Sequence, residues 1–149
     1  MRLSTKGRYG MKAVLDLALH SNEGLISLKS IADRQEISEN YLEQLFASLK
    51  KAGVVKSTRG SQGGYELGRA PNEISVGDIL RALEGSLAPV ECVEDSEQPA
   101  CEKSENCVTR LIWTKIRDSV NEVVDSISLE QLVEDCRKMS EKCDYTYYI

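Results

Sequence analysis

The chain has 149 residues, 41% of them hydrophobic, which suits one ordinary core or a small domain with an appended element. No apolar run reaches the ~20 residues of a membrane span, and Met1-Arg2-Leu3-Ser4-Thr5-Lys6 lacks a signal peptide's apolar stretch, so a cytoplasmic chain without membrane contact is expected. The net charge of −5 hides an asymmetry: residues 1–70 hold 11 Lys and Arg against 7 Asp and Glu, whereas residues 71–149 hold 8 against 17. This predicts a part over 1–70 that meets a polyanion and a part over 71–149 that does not. Five cysteines, an odd number, in a reducing compartment point to free, metal-bound or redox-active thiols, not to a disulfide framework.

Between Lys6 and His20, the residues Met11, Val14, Leu15 and Ala18 recur at helical spacing and predict a first helix, ended by Gly24. Ser27 is a good N-cap for a short second helix with Leu28, Ile31 and Ala32 inward, running to about Gln35 and followed by a tight turn through Glu36 and Ile37. Ser38 caps a third helix whose buried stripe is Leu42, Leu45, Phe46 and Leu49 and whose opposite face is Asn40, Glu43, Gln44 and Ala47. Short polar side chains near a helix N-terminus are what a recognition helix offers to base edges in the major groove. Asn or Gln pairs with adenine there, and Glu accepts a hydrogen bond from the cytosine amino group. Ser38 and Tyr41 start the same helix and join the expected DNA-facing set. The same residues also suit a plainly solvated face, and the elements that follow decide between the two.

Those elements are two short strands, Val54–Ser57 and Tyr65–Leu67, around the glycine-rich tip Thr58-Arg59-Gly60-Ser61-Gln62-Gly63-Gly64. Helix, helix, recognition helix and hairpin is the order of a winged helix-turn-helix. The tip has no bulk besides Arg59 and Gln62, so its backbone at Gly60 and Gly63 can come close to a phosphate or enter a minor groove, where the negative potential draws Arg59. Arg2, Lys6, Arg8, Lys50, Lys51 and Lys56 are candidate phosphate contacts that supply affinity, not sequence choice.

Gly68 to Glu73 is the expected linker, where composition turns acidic. Ser75-Val76-Gly77-Asp78 has capping-box spacing, with Val76, Ile79, Leu80 and Leu83 on one helical face before Gly85. Cys92, Cys101 and Cys107 then punctuate a connection of roughly twenty residues without periodicity, which in a compact domain is usually functional or disordered. Ser104 is expected to cap the long helix that follows, placing Cys107 in its first turn, where the helix dipole favours a thiolate. Leu111, Ile112, Ile116, Val120, Val123, Val124 and Ile127 extend this helix over about five turns, roughly 30 Å. So broad an apolar face exceeds what one small domain can cover and predicts a homodimer, which would read a palindromic site in double-stranded DNA. Ser128-Leu129-Glu130-Gln131 opens a last helix with Leu129, Leu132, Val133, Cys136 and Met139 near one face, Cys136 serving the core. Cys143 stays undecided, and the tyrosine-rich end, Tyr145 to Ile149, is expected to pack.

Three thiols in one segment can hold zinc, hold an iron–sulfur cluster, form a reversible disulfide or do nothing. Zinc sites favour Cys-x-x-Cys knuckles, absent here, whereas iron–sulfur ligands tolerate wider spacing and a [2Fe–2S] cluster takes four of them. The one histidine, His20, lies at the end of the first helix, a place for stabilising that terminus; Glu91, Glu94, Asp95, Glu102 and Glu105 are oxygen donors near the cysteines. No nucleophile–base pairing points to an enzyme.

Met1-Arg2-Leu3-Ser4-Thr5-Lys6-Gly7-Arg8-Tyr9, Ser38 with Tyr41-Leu42-Glu43-Gln44-Leu45, and Arg59-Gly60 with Gly63-Gly64-Tyr65 resemble the Rrf2 family of bacterial regulators, and the likeness covers nearly the whole chain. The resemblance implies a mainly α protein with a small β-hairpin wing: a winged helix-turn-helix DNA-binding domain over 1–70, and a cluster-binding loop with dimerisation helices over 71–149. It implies further that Cys92, Cys101 and Cys107 match the positions where the family's iron–sulfur regulators bind a [2Fe–2S] or [4Fe–4S] cluster, here most simply [2Fe–2S]. The chain would then sense cluster or redox status and control iron–sulfur biogenesis genes. Two departures stand out: Arg110 occupies the place of a histidine ligand, and Arg8 the place of the aspartate of the family's nitric-oxide sensors, which leaves the fourth ligand unassigned. The N-terminal half and the tyrosine-rich tail resemble the family's cysteine-metabolism repressors, which lack these cysteines and act with cysteine synthase. The alternatives are therefore such a repressor, a thiol switch or a nitric-oxide sensor, with cysteine synthase or iron–sulfur assembly proteins as partners.

Overall fold

The computed structural model describes residues 2–95 and 101–147, with side chains as far as Glu141. Cys143, which the sequence leaves undecided, and the aromatic tail, which is expected to pack, have side chains outside the described residues. The architecture is mainly helical with one two-stranded hairpin.

Serine hydroxyls start the first three helices, each satisfying a backbone N–H that the helix itself leaves free. Ser4 caps α1 (Thr5–Leu19), Ser27 caps α2 (Leu28–Gln35) and Ser38 caps α3 (Glu39–Lys51). Glu36 closes α2 in the left-handed region at φ 54°, which turns the chain sharply enough for Ile37 N–H to reach the Ala32 carbonyl at 3.0 Å. The three helices share one core of Val14, Leu17, Ile31, Leu42, Phe46 and Leu49, each at most 1% exposed.

Strands β1 (Val55–Thr58) and β2 (Gly64–Leu67) pair antiparallel in the register Val55↔Leu67 to Thr58↔Gly64. Ile26 adds a short third edge by exchanging two backbone hydrogen bonds with Tyr65, 2.9 and 2.7 Å long. The Tyr65 ring stands edge-on to Phe46 at 4.9 Å, so the base of the hairpin is seated on α3. At the tip Gly60 holds φ 115°, and a Cβ at Gly63 would meet the Thr58 carbonyl, so the turn closes only with glycine at both places.

A reciprocal capping box between Ser75 and Asp78 opens α4 (Val76–Glu84), which crosses α1 so closely that Leu83 occupies the space a side chain at Gly10 would need. The stretch expected as a linker is tied into the body: Gly68 N–H donates to the Val54 carbonyl, Pro71–Glu73 forms one 3-10 turn, and Ile74 is fully buried. Helices α5 (Val108–Ser126) and α6 (Leu129–Tyr147) meet at a corner sewn to the start of α4. Val76 N–H donates to the Ile127 carbonyl at 2.9 Å and Leu129 N–H to the Ile74 carbonyl at 2.8 Å. Arg81 of α4 grips α5 with a bidentate pair to Asp125, both bonds 2.8 Å, and a 3.0 Å bond to Asn121. The Arg81 hydrogen bond holds the Asp125 carboxyl below the usual carboxylate range.

Two expectations need correction. Ser104 does not cap α5: Ser104–Asn106 forms a separate 3-10 turn and Cys107, extended at φ −95° and ψ 109°, is itself the N-cap residue, so it lies before the first turn and not in it. Met139 is 69% exposed, because the buried stripe of α6 carries Leu129 and Val133 and leaves the core beyond them, with Cys136 half-buried.

Candidate nucleic-acid interface and cysteine segment

Asn40, Glu43, Gln44 and Ala47 are all exposed on α3, opposite its buried stripe. Tyr41, beside them, is half-buried and stands edge-on to Tyr9 at 6.3 Å, with Lys12 Nζ 5.9 Å from the Tyr9 ring centroid. The Ser38 hydroxyl is engaged as a cap, accepting from Tyr41 N–H at 3.2 Å. Arg2, Lys6, Arg8, Lys50, Lys51, Lys56, Arg59, Gly60 and Gln62 are exposed and Gly63 is half-buried, so the basic and wing-tip residues are free to meet a ligand.

Helix α1 is tied to the end of α2 by a cluster that helical periodicity does not reveal. Asp16, 3% exposed, accepts from Arg34 Nε at 3.1 and 3.0 Å, from Arg34 Nη2 at 2.6 Å and from Gln35 Nε2 at 2.8 Å. The hydrogen bond to Asp16 pushes the Arg34 guanidinium further from deprotonation, against the opposing effect of burial. His20 ends α1 as expected of it, its Nδ1 lying 2.8 Å from the Asp16 carbonyl.

The first limb of the cysteine segment is clamped to α5. Val93, 1% exposed, anchors the 3-10 turn Glu91–Val93; Arg117 Nη1 donates to its carbonyl at 2.8 Å and Arg110 Nε to the carbonyl of Cys92 at 3.3 Å. Arg110, which stands where a histidine ligand would be, is therefore a backbone clamp. Cys92 and Cys107 are half-buried and Cys101 is exposed. The Cys107 thiol is shifted below its ordinary range, first by a hydrogen bond from Thr109 Oγ1, 3.1 Å away, then by the Arg110 backbone N–H at the helix start. The donor set has a cluster site's chemistry, soft thiols with one prone to ionise, but among the described residues no three His, Cys, Asp or Glu side chains converge.

Thr109→Val removes the hydroxyl donor that favours the Cys107 thiolate. The pH midpoint of Cys107 alkylation by iodoacetamide, read peptide by peptide by mass spectrometry, will rise in that variant relative to the unsubstituted protein. Coincident pH profiles would show that the hydroxyl does not tune the thiol.

Three capped helices, the second and third joined by a left-handed turn and the third bearing an exposed polar face, together with a glycine-tipped hairpin define a winged helix-turn-helix protein. Residues 3–135 match the Rrf2 family model, described as an iron-dependent transcriptional regulator, and the chain belongs to that family. It is a DNA-binding transcriptional regulator, not an enzyme. It is 48% identical to the transcriptional regulator CymR of Bacillus subtilis over 149 residues, the whole of both chains. It is 42% identical to the regulator IscR of Pectobacterium carotovorum over 135 residues, 91% of this chain and 80% of that protein. The solved structure of CymR, the global cysteine regulator of B. subtilis, superposes with a TM-score of 0.72 at 49% identity, over 90% of this chain and 97% of that one. The structure of T. potens IscR does so with a TM-score of 0.72 at 50% identity, over 91% and 88%. No helix among the described residues is long and apolar enough to cross a membrane.

Proposed function

We propose that this regulator acts in the cytoplasm as a homodimer that binds a palindromic operator and takes its signal at Cys92, Cys101 and Cys107. Asn40, Glu43 and Gln44 read bases from α3; Ser38 and Tyr41 set the start of that helix against the DNA; Arg2, Lys6, Lys56 and the wing tip Arg59, Gly60, Gln62 and Gly63 hold the backbone. The observation that carries this reading is the exposed polar face of α3 beside a glycine-tipped wing, held in place by the buried Asp16 cluster.

The signal is thiol status and the regulated genes concern cysteine supply. The full-length match to CymR, the global cysteine regulator of B. subtilis, supports this, as does the lowered pKa of the Cys107 thiol beside Thr109. Oxidation by a peroxide would join two thiols in a disulfide, the two electrons and two protons reducing the peroxide O–O bond to two hydroxyl groups, and Arg110 and Arg117 would transmit the change from the segment to α5. A partner enzyme such as cysteine synthase fits the same reading.

A second reading is favoured by the three cysteines themselves, by the family's iron-dependent description and by the T. potens IscR match. In it Cys92, Cys101 and Cys107 would hold an iron–sulfur cluster, [2Fe–2S] before [4Fe–4S], and the genes would be those of cluster biogenesis. The Cys101 limb would have to close on the other two thiols. A bound cluster would supply a redox- or oxygen-sensitive centre; ordering the segment would fall to the chain itself.

Anaerobic reconstitution with iron and sulfide, followed by operator binding of each form, separates the readings. Colourless, iron-free protein whose affinity changes on thiol oxidation supports the first. Coloured protein with stoichiometric iron and acid-labile sulfide, whose affinity changes on cluster loss, supports the second. Affinity indifferent to both treatments would remove the cysteines as the input.

A further inference from the structure

We propose that Glu84 is a positioning residue for DNA binding, through which the connection leading to the cysteine segment sets the basic arm at the N-terminus. Glu84 is the last residue of α4, and Gly85 beyond it, at φ 80°, opens the chain towards Cys92. Its carboxylate accepts from Ser4 N–H at 2.8 Å and from the Ser4 hydroxyl at 2.5 Å, a contact spanning 80 positions of sequence. It also lies against Gly7, in the space a Cβ there would occupy.

The first turn of α1 has no acidic residue of its own, so Glu84 supplies the negative charge that the free amides and dipole of a helix N-terminus favour. Arg2 and Leu3, just before the cap, line a cleft of about 280 Å³ with Leu80, Leu87, Val120 and Val124, so the arm lies across α4, the connection and α5 together. A shift of the connection moves Glu84, and Glu84 carries Ser4 and the neighbouring Arg2 and Lys6 with it. This rests on the proposed phosphate role of Arg2 and Lys6.

The test is operator binding by fluorescence anisotropy over a salt series with the full chain. Each phosphate contact contributes about 0.9 to the slope of log affinity against log salt. Glu84→Ala will lower that slope by about 0.9–1.8 and weaken binding roughly 5- to 20-fold at physiological salt. Glu84→Gln, which keeps an oxygen acceptor for both Ser4 donors, will stay within about twofold of the unsubstituted protein. Arg2→Ala will lower the slope by about 0.9 and cost nothing further when added to Glu84→Ala. Weaker binding by Glu84→Ala at an unchanged slope, with Arg2→Ala still lowering it, overturns the positioning role. A slope unmoved by Arg2→Ala overturns the phosphate reading on its own. Should Glu84→Ala fail to fold, Ser4→Ala, which removes the hydroxyl donor, carries the same prediction.

Discussion

Replacing Asp16 with alanine will lower the free energy of unfolding by about 2–4 kcal/mol, measured as a shift in urea midpoint. Breaking a buried ion pair from one side typically costs about 3–5 kcal/mol, because the remaining charge is left without a partner. Here Arg34 is 34% exposed at its side chain, so water recovers part of that loss, whereas Gln35 loses its acceptor as well. Asp16→Asn, which keeps one oxygen, will cost roughly half as much. DNA binding will fall too, since the same carboxylate fixes α1 against α2 and thereby aims α3. A loss below about 0.5 kcal/mol, the scatter of surface substitutions, would show that the cluster merely decorates the helices.

Leu111→Glu combined with Val123→Glu will turn the proposed dimer into a monomer in sedimentation and weaken operator binding by about 10²–10⁴-fold, with binding to a half-site unchanged. Helix α5 has two distinct faces. Arg117, Asn121 and Asp125 look towards α4 and the cysteine segment, whereas Val108, Leu111, Ile112 and Val123 are 75%, 64%, 50% and 57% exposed. No α5 residue is buried, although at 19 residues α5 is as long as any helix among the described residues. An apolar strip of this length is costly in water and is covered most simply by its own copy. Retention of the dimer by the double variant would place the contact elsewhere.

The local signals were legible because each depends on residues a few positions apart. Ser27, Ser38 and Ser75 cap helices where the spacing expects them, and the hairpin brackets its glycines within one residue of the expected bounds. Periodicity reports which face of a helix is apolar, not what that face or its polar edges will meet. Ser4 with Glu84, Arg81 with Asp125 and Asp16 with Arg34 were therefore not foreseeable, being separated by 80, 44 and 18 positions. The start of α5 illustrates the same limit at short range: Ser104 has an N-cap's chemistry, but a 3-10 turn intervenes and the role passes to Cys107. Spacing could nominate the three thiols without saying whether they meet.

The corner between α5 and α6 gives the long helix the mechanics of a lever. At its C-terminal end it is secured by the Ile127 carbonyl, the Asp125 pair and the bond from Leu129 to Ile74. At the other end its hold on the cysteine segment runs through the Arg110 and Arg117 bonds to the backbone carbonyls of Cys92 and Val93. With a rise of 1.5 Å per residue the arm is about 28 Å long, so a tilt of roughly 5° at the fixed corner carries the Cys107 end through about 2.5 Å. Read in reverse, a displacement at the Cys107 end would reach the corner as a small rotation with a large mechanical advantage, delivered to the backbone of Ile74 and Val76 where α4 begins.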